Sequence, residues 1–225
     1  SSICFKEYDL VMDEEVTIID SNTRNEKIKN FFINNKKNFI IGFLIIFIII
    51  IVFLSMKEMK EREKIKLANE FNITIINFNT ENKKSTVDQL IKLINKNDPT
   101  YSPLALYFML DNNLMNNQTE VNSLFDELIV KTSLDQEIRN LIIYKKALFN
   151  SDLISENDLL KILSPIINSE SIWKSHSLYL IAEYFYSKNQ KEKAKEFFNQ
   201  ILILPNANND IKVESKKRLN RDLGE

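Results

Sequence analysis

The hydrophobic pattern splits the chain into three regimes. Residues 39–56 read FIIGFLIIFIIIIVFLSM, an unbroken run without a charge. A helix of that length spans about 27 Å, close to the hydrocarbon thickness of a bilayer. The run has no polar stripe, so it does not match a helix laid on a soluble core. It also lacks the small-residue cleavage site of a secretory signal, because Leu54-Ser55-Met56 meets Lys57 directly. One permanent membrane-spanning helix is expected. Before it, residues 24–38 set Ile28, Phe31, Phe32 and Ile33 among Lys27, Lys29, Lys36 and Lys37. That is a short basic amphipathic helix at a membrane surface or a solvated positive flank. Further upstream, Asp13-Glu14-Glu15 reads as a solvated acidic tail. Residues 1–11, ahead of Met12, are expected to be disordered or foreign to the native protein.

After the span the pattern becomes helical and interrupted. Lys57 with Glu61 and Glu58 with Arg62 stand at i,i+4. The stripe Leu67, Phe71, Ile75, Phe78 then carries a helix through NITIINF despite its β-branched content. Capping boxes are expected at Ser85 with Asp88, Ser133 with Gln136, and Ser155 with Asp158. Asp98-Pro99 and Pro205 end helices, and Ser102-Pro103 starts one. The result is about nine short helices after the span and no convincing strand. Leu104, Leu141 and Leu178 recur every 37 residues. The last helix pair places Leu178, Ile181, Ala182 and Phe185 opposite Ala194, Phe198 and Ile201, ahead of Pro205. Small residues where two helices cross, with aromatics beside them, give the tetratricopeptide spacing. Residues 101–131 and 135–168 fit either degenerate copies of that pattern or a generic helical bundle.

The expected fold is therefore all-α, an N-terminal single transmembrane helix followed by a tetratricopeptide-like helical-hairpin repeat domain. Residues 1–38 form a tail and 39–56 the span. Residues 57–100 hold a juxtamembrane long helix and a first hairpin. Residues 101–225 hold degenerate repeats with a C-terminal capping helix.

Composition removes several classes of function. The net charge of −1 gives no basic field for nucleic acid. The only glycines are Gly42 and Gly224, so phosphate-cradling loops are excluded. One cysteine, Cys4, forms no disulfide within this sequence. His176 is the only histidine, and its neighbours Ser175 and Ser177 do not face it on a helix. No catalytic residue, metal ligand or cofactor site is expected. Trp173 reads as a packing residue at a helix start. Lys212, Lys216, Lys217, Arg218 and Arg221 read as the outer face of the capping helix, or as a patch for lipid headgroups or an acidic partner.

The candidate chemistry is protein binding. If Leu178, Ile181, Ala182 and Phe185 face inward, then His176, Tyr179, Glu183 and Tyr186 line a groove on the opposite face. Tyrosines suit a surface that binds apolar segments and stays wet when empty. The alternative is that Tyr179 and Tyr186 pack against a neighbouring helix. The 37-residue spacing places Arg139, Ile142, Lys146 and Phe149 in the same groove one repeat earlier.

The order of features carries a resemblance. Asp13-Glu14-Glu15-Val16 precedes a basic EKIKNFFINNKKN segment, one span and a charged helix. Degenerate repeats joined by LSPIINSESIW (Leu163 to Trp173) lead to a well-formed final repeat. In that order the chain, over residues 13–222, resembles the tetratricopeptide-like ancillary subunits of the bacterial Sec translocon found in α-proteobacteria. The resemblance implies a single-pass inner-membrane protein with a cytoplasmic tail and a periplasmic repeat domain. It implies Sec translocon subunits, periplasmic chaperones or emerging secretory polypeptides as partners. The upstream repeats depart from the family in having few Ala. Charge counting is neutral on topology, with five cations in residues 24–37 and five in residues 57–66. A competing reading is an envelope-assembly or cell-division coordinating protein that self-associates through the helix after the span.

Overall fold

The computed structural model describes residues 23–224. The expectations for the acidic run and for residues 1–11 lie outside the described residues. All regular structure among the described residues is helical. Helix α1 covers residues 23–34. It is followed by α2 (Lys36–Ile76), α3 (Lys83–Ile94), α4 (Tyr101–Asp111), α5 (Gln118–Lys131) and α6 (Gln136–Asn150). The order ends with α7 (Glu156–Ile167), α8 (Lys174–Ser187), α9 (Lys191–Ile203) and α10 (Asn209–Asp222). The chain divides into two compact units, Ser1–Glu63 and Lys64–Glu225.

In the first unit, the helical hydrogen bonding hardly pauses between α1 and α2. Phe31 O accepts from Asn35 N at 3.0 Å and from Asn35 Nδ2 at 2.9 Å, and Phe39 N donates to Asn35 O at 3.0 Å. Helix α2 is 41 residues long and contains a stretch long and apolar enough to cross a membrane, with none of it buried. Beyond that stretch, Arg62 pairs with Glu58 at 2.9 Å on the solvent face.

In the second unit, helices pack mainly on their neighbours in sequence, and the longer-range pairs skip one helix, as in α6 with α8 and α8 with α10. Two apolar cores result. One joins Leu67 and Phe71 of α2 to Leu90, Ile94, Leu106, Met109, Phe125, Leu128 and Ile142. The other joins Ile143 and Ala147 of α6 to Leu163, Ile166, Ile181, Ala182, Phe185, Ala194, Phe198 and Ile201. Helix α6 is common to both, because adjacent residues Ile142 and Ile143 point into different cores.

Six buried positions recur at a spacing of 35 residues, the spacing that also separates the Glu183–Arg218 pair. Ile143, Ala147 and Asn150 match Leu178, Ala182 and Phe185. Leu159, Leu163 and Ile166 match Ala194, Phe198 and Ile201. The 37-residue leucine series does not mark equivalent environments, since Leu104 is 40 % exposed whereas Leu178 is buried. The small residue missing from the sequence reading of 135–168 is Ala147, fully buried where α6 meets its neighbours. Asn150 stands where the last pair has Phe185. It exchanges amide hydrogen bonds with Asn122 at 2.8 Å and accepts from Gln118 at 2.9 Å, tying α6 to α5.

The helix ends follow from the shortage of glycine. A left-handed residue after the last turn is usually Gly, with Asn the next choice. Here Asn97, Asn113 and Asn189 adopt φ of 54°, 50° and 58° after α3, α4 and α8. Only one of the expected serine caps forms. Ser155 Oγ accepts from Asp158 N at 3.2 Å and donates to its carboxylate at 2.7 Å. Ser85 lies inside α3, whose N-cap is Asn82, and Ser133 lies before Asp135, the N-cap of α6. The expected link at Leu163 is helix: α7 runs through Pro165 to Ile167. Proline removes one helical N–H, and Ser164 Oγ donates instead to the freed Lys161 carbonyl at 3.0 Å.

The closest helix crossing is that of α8 on α9, where Ala182 and Ala194 are fully buried beside Phe185 and Phe198. Ala182→Leu is expected to overpack it and cost about 1–3 kcal/mol in urea unfolding. Val213→Ala, at an exposed position of α10, should leave the transition within about 0.5 kcal/mol of the parent.

Candidate apolar groove

Helices α6 and α8 face one another across a seam. Tyr144 of α6 stacks on Trp173 at the start of α8, with ring centroids 6.0 Å apart. His176 closes the cluster at 5.2 Å from Trp173 and 6.0 Å from Tyr144. The indole fills the seam between α6 and α8. Ile138 occupies the corresponding place on α6, 35 residues earlier. A smaller side chain there leaves the seam between α4 and α6 open, with a cavity of about 570 Å³. Pro103, Leu104 and Tyr107 line it from α4, Ile138 and Leu141 from α6, and Ser133 to Asp135 from the preceding loop. Leu104 and Ile138 stand 40 % and 41 % exposed at its rim.

One polar group beneath this groove has no partner. The Tyr107 hydroxyl is buried and makes no hydrogen bond, and burial pushes its pKa up to about 12. The Lys145 ammonium lies 4.6 Å from the centre of the same ring. A trough with an apolar floor and polar residues such as Ser133 and Asp135 at its edge suits an apolar side chain carried on a polar backbone. Burial raises the pKa of Tyr107 on α4, Tyr144 on α6 and Tyr179 on α8. For Tyr179 the neighbouring Glu183 and Glu214 carboxylates add to the effect, taking it to about 12.

The residues expected to line a groove lie elsewhere. On α6 the four expected positions turn toward α5. Arg139 donates to the Ile129 carbonyl, Ile142 is fully buried, Lys146 pairs with Asp126 at 2.7 Å, and Phe149 packs 6.1 Å from Phe125. The 37-residue spacing therefore selects the wrong face of α6, because equivalence between α6 and α8 runs at 35. On α8, His176 joins the Trp173 cluster and Tyr179 packs 5.5 Å from Phe198 of α9. Glu183 and Tyr186 meet α10: Arg218 donates to Glu183 at 2.6 and 2.8 Å and lies 4.2 Å from the Tyr186 ring. Arg218 is thus turned inward, away from the outer face expected for it. Leu104 and Leu141 were visible as a repeated pair; Tyr107, Ile138 and the unfilled seam were missed. Among the described residues no group of three His, Cys, Asp or Glu side chains could hold a metal ion.

Burial lowers the His176 pKa, with a backbone hydrogen bond to Ile172 acting the other way. On α10, hydrogen bonds from Arg221 and Arg218 hold the Asp222 carboxyl down at about 2, below its ordinary 3.8. A depressed carboxyl stabilises the fold above its ordinary pKa, and that contribution is lost as pH falls through the folded value. Hydrogen exchange in residues 209–222 should accelerate as pH drops from 3.8 toward 2, beyond the intrinsic change in exchange chemistry. Asp222→Asn should abolish that extra step. Separately, Tyr107→Phe should leave thermal stability unchanged or raised, because its hydroxyl forfeits no partner. Tyr184→Phe, which removes a 3.0 Å bond to the Ile154 carbonyl, should cost about 0.5–1.5 kcal/mol.

No family model matches the chain, and no curated protein or solved structure matches it either.

Proposed function

We propose that the protein is a membrane-anchored scaffold for protein–protein interaction. In this reading α2 anchors the chain in the bacterial inner membrane, with the N-terminus cytoplasmic and residues 64–225 in the periplasm. The second unit is a degenerate tetratricopeptide-like domain that associates with the Sec translocon and assists emerging polypeptides or chaperones. The observation that carries the binding role is the open seam between α4 and α6. It offers exposed Leu104 and Ile138 and about 570 Å³ of space beside a packed counterpart. A helical domain whose neighbouring seam is filled by its own Trp173 has the means to close this one, and it does not. The 35-residue recurrence of buried positions supports the repeat reading. The partner and the topology rest on the resemblance of the sequence to ancillary translocon subunits.

A photo-crosslinking residue at Leu104, in otherwise intact membranes, tests the binding role. Translocon subunits and secretory precursors are the expected products. Ile138→Trp should reduce them several-fold by filling the groove as Trp173 fills its own seam, without lowering thermal stability. Division or wall-synthesis proteins among the products, with no loss in Ile138→Trp, would contradict the assignment. Topology is checked by a C-terminal alkaline phosphatase fusion, which should be active. An inactive fusion with a fluorescent cytosolic reporter at the same site would place the domain on the other side.

A further inference from the structure

A second apolar groove lies wholly within the first unit. It runs along α2 from Lys36 and Asn38 past Phe39 and Gly42 to Phe43 and Ile46, with a volume of about 660 Å³. Gly42 opens it, since a side chain added there would meet nothing within 4 Å. Phe43, 70 % exposed, walls one side. At the upper end Phe39 stacks on Phe32 of α1, 4.8 Å between centroids. The groove is thus polar and cationic at one end and apolar along the rest.

The charge around that end is one-sided. Residues 23–38 hold Arg24, Lys27, Lys29, Lys36 and Lys37 against the single carboxylate of Glu26. Among the described residues none of these five cations forms an ion pair, whereas beyond the apolar stretch Arg62 is paired with Glu58. Unpaired lysines beside a bilayer attract anionic headgroups.

We infer that this groove is a seat for one anionic phospholipid. The Lys36 ammonium and the Asn38 amide hold its phosphate, and an acyl chain lies against Phe39, Gly42, Phe43 and Ile46. The inference rests on α2 being inserted in a bilayer. A second copy of α2 is the competing occupant. Close helix pairing needs small residues four apart, and the positions four from Gly42 are Asn38 and Ile46. A flexible chain fills an irregular trough between two phenylalanines without that requirement.

The full chain is reconstituted in bilayers of phosphatidylcholine and phosphatidylglycerol in equal parts, and a portion is washed with alkaline carbonate. Loss of the protein in that wash overturns the membrane reading itself and the lipid seat with it. Retained protein is then released into native mass spectrometry and its bound lipids are identified. Phosphatidylglycerol should be retained over phosphatidylcholine by roughly fivefold, given one lysine at the headgroup. Lys36→Glu should remove the preference. Lys57→Glu with Lys60→Glu, at the other end of the apolar stretch, should preserve it. Gly42→Leu should lower total retention by closing the trough. Equal retention of the two lipids overturns the inference, as does a preference that ignores Gly42→Leu. A dimer that disappears in Gly42→Leu while lipid retention is unchanged assigns the groove to a second copy instead.

Discussion

The second unit depends on α6 being buried on two sides at once. Adjacent residues of a helix point about 100° apart, so Ile142 and Ile143 can enter separate cores only if both flanks of α6 are covered. The α5 flank is covered through Ile142, Phe149 and the Asn150–Asn122 amide pair. The other flank is covered through Ile143 and Ala147, which join the core of α7 to α10. Only the remaining face, Ile138, Leu141 and Tyr144, is left for contacts with the first helices on either side. The two seams and their chemistry follow from that allocation.

Those seams differ most at the position of Trp173, whose counterpart is Ile138. Trp173 brings an indole against Tyr144, and the gap closes. Ile138 brings a short branched chain opposite Tyr107, and the gap stays open with the tyrosine hydroxyl unused. A buried hydroxyl without a partner is costly, and groups left so in native structures ask for an explanation. At the far end of the unit no such space remains, because α10 lies on α8 through Arg218, Glu183 and Tyr186.

The final helix pair was legible because its sequence spells out the packing: Ala182 and Ala194 where helices cross, Phe185 and Phe198 beside them. Upstream, the same positions are held by Ala147, Asn150 and Leu159, and the pattern is hidden by chemistry. Asn150 does with amide bonds what Phe185 does with ring contact. Leucines 37 apart supplied a false register, because a two-residue slip turns a helix by about 200° and exchanges its buried and exposed faces. The caps were misplaced for a related reason. Serines were expected at the starts of α3 and α6, where Asn82 and Asp135 hold the N-cap position without a side-chain cap, whereas Asn117 caps α5 with its side chain. The groove was not legible at all, since it depends on comparing Ile138 with Trp173 in a register that only the folded packing reveals. The apolar stretch of α2 was the clearest feature from sequence, because eighteen uncharged residues need no partner to be recognised.

If α6 is the shared wall of both cores, residues 64–225 should unfold as one cooperative body. Hydrogen exchange followed peptide by peptide across a urea series measures this directly. The slowest amides should lie in α6, and peptides from α3 to α5 and from α7 to α10 should lose protection at a common urea concentration. Separate transitions for the two groups, with α6 exchanging early alongside one of them, would contradict the account.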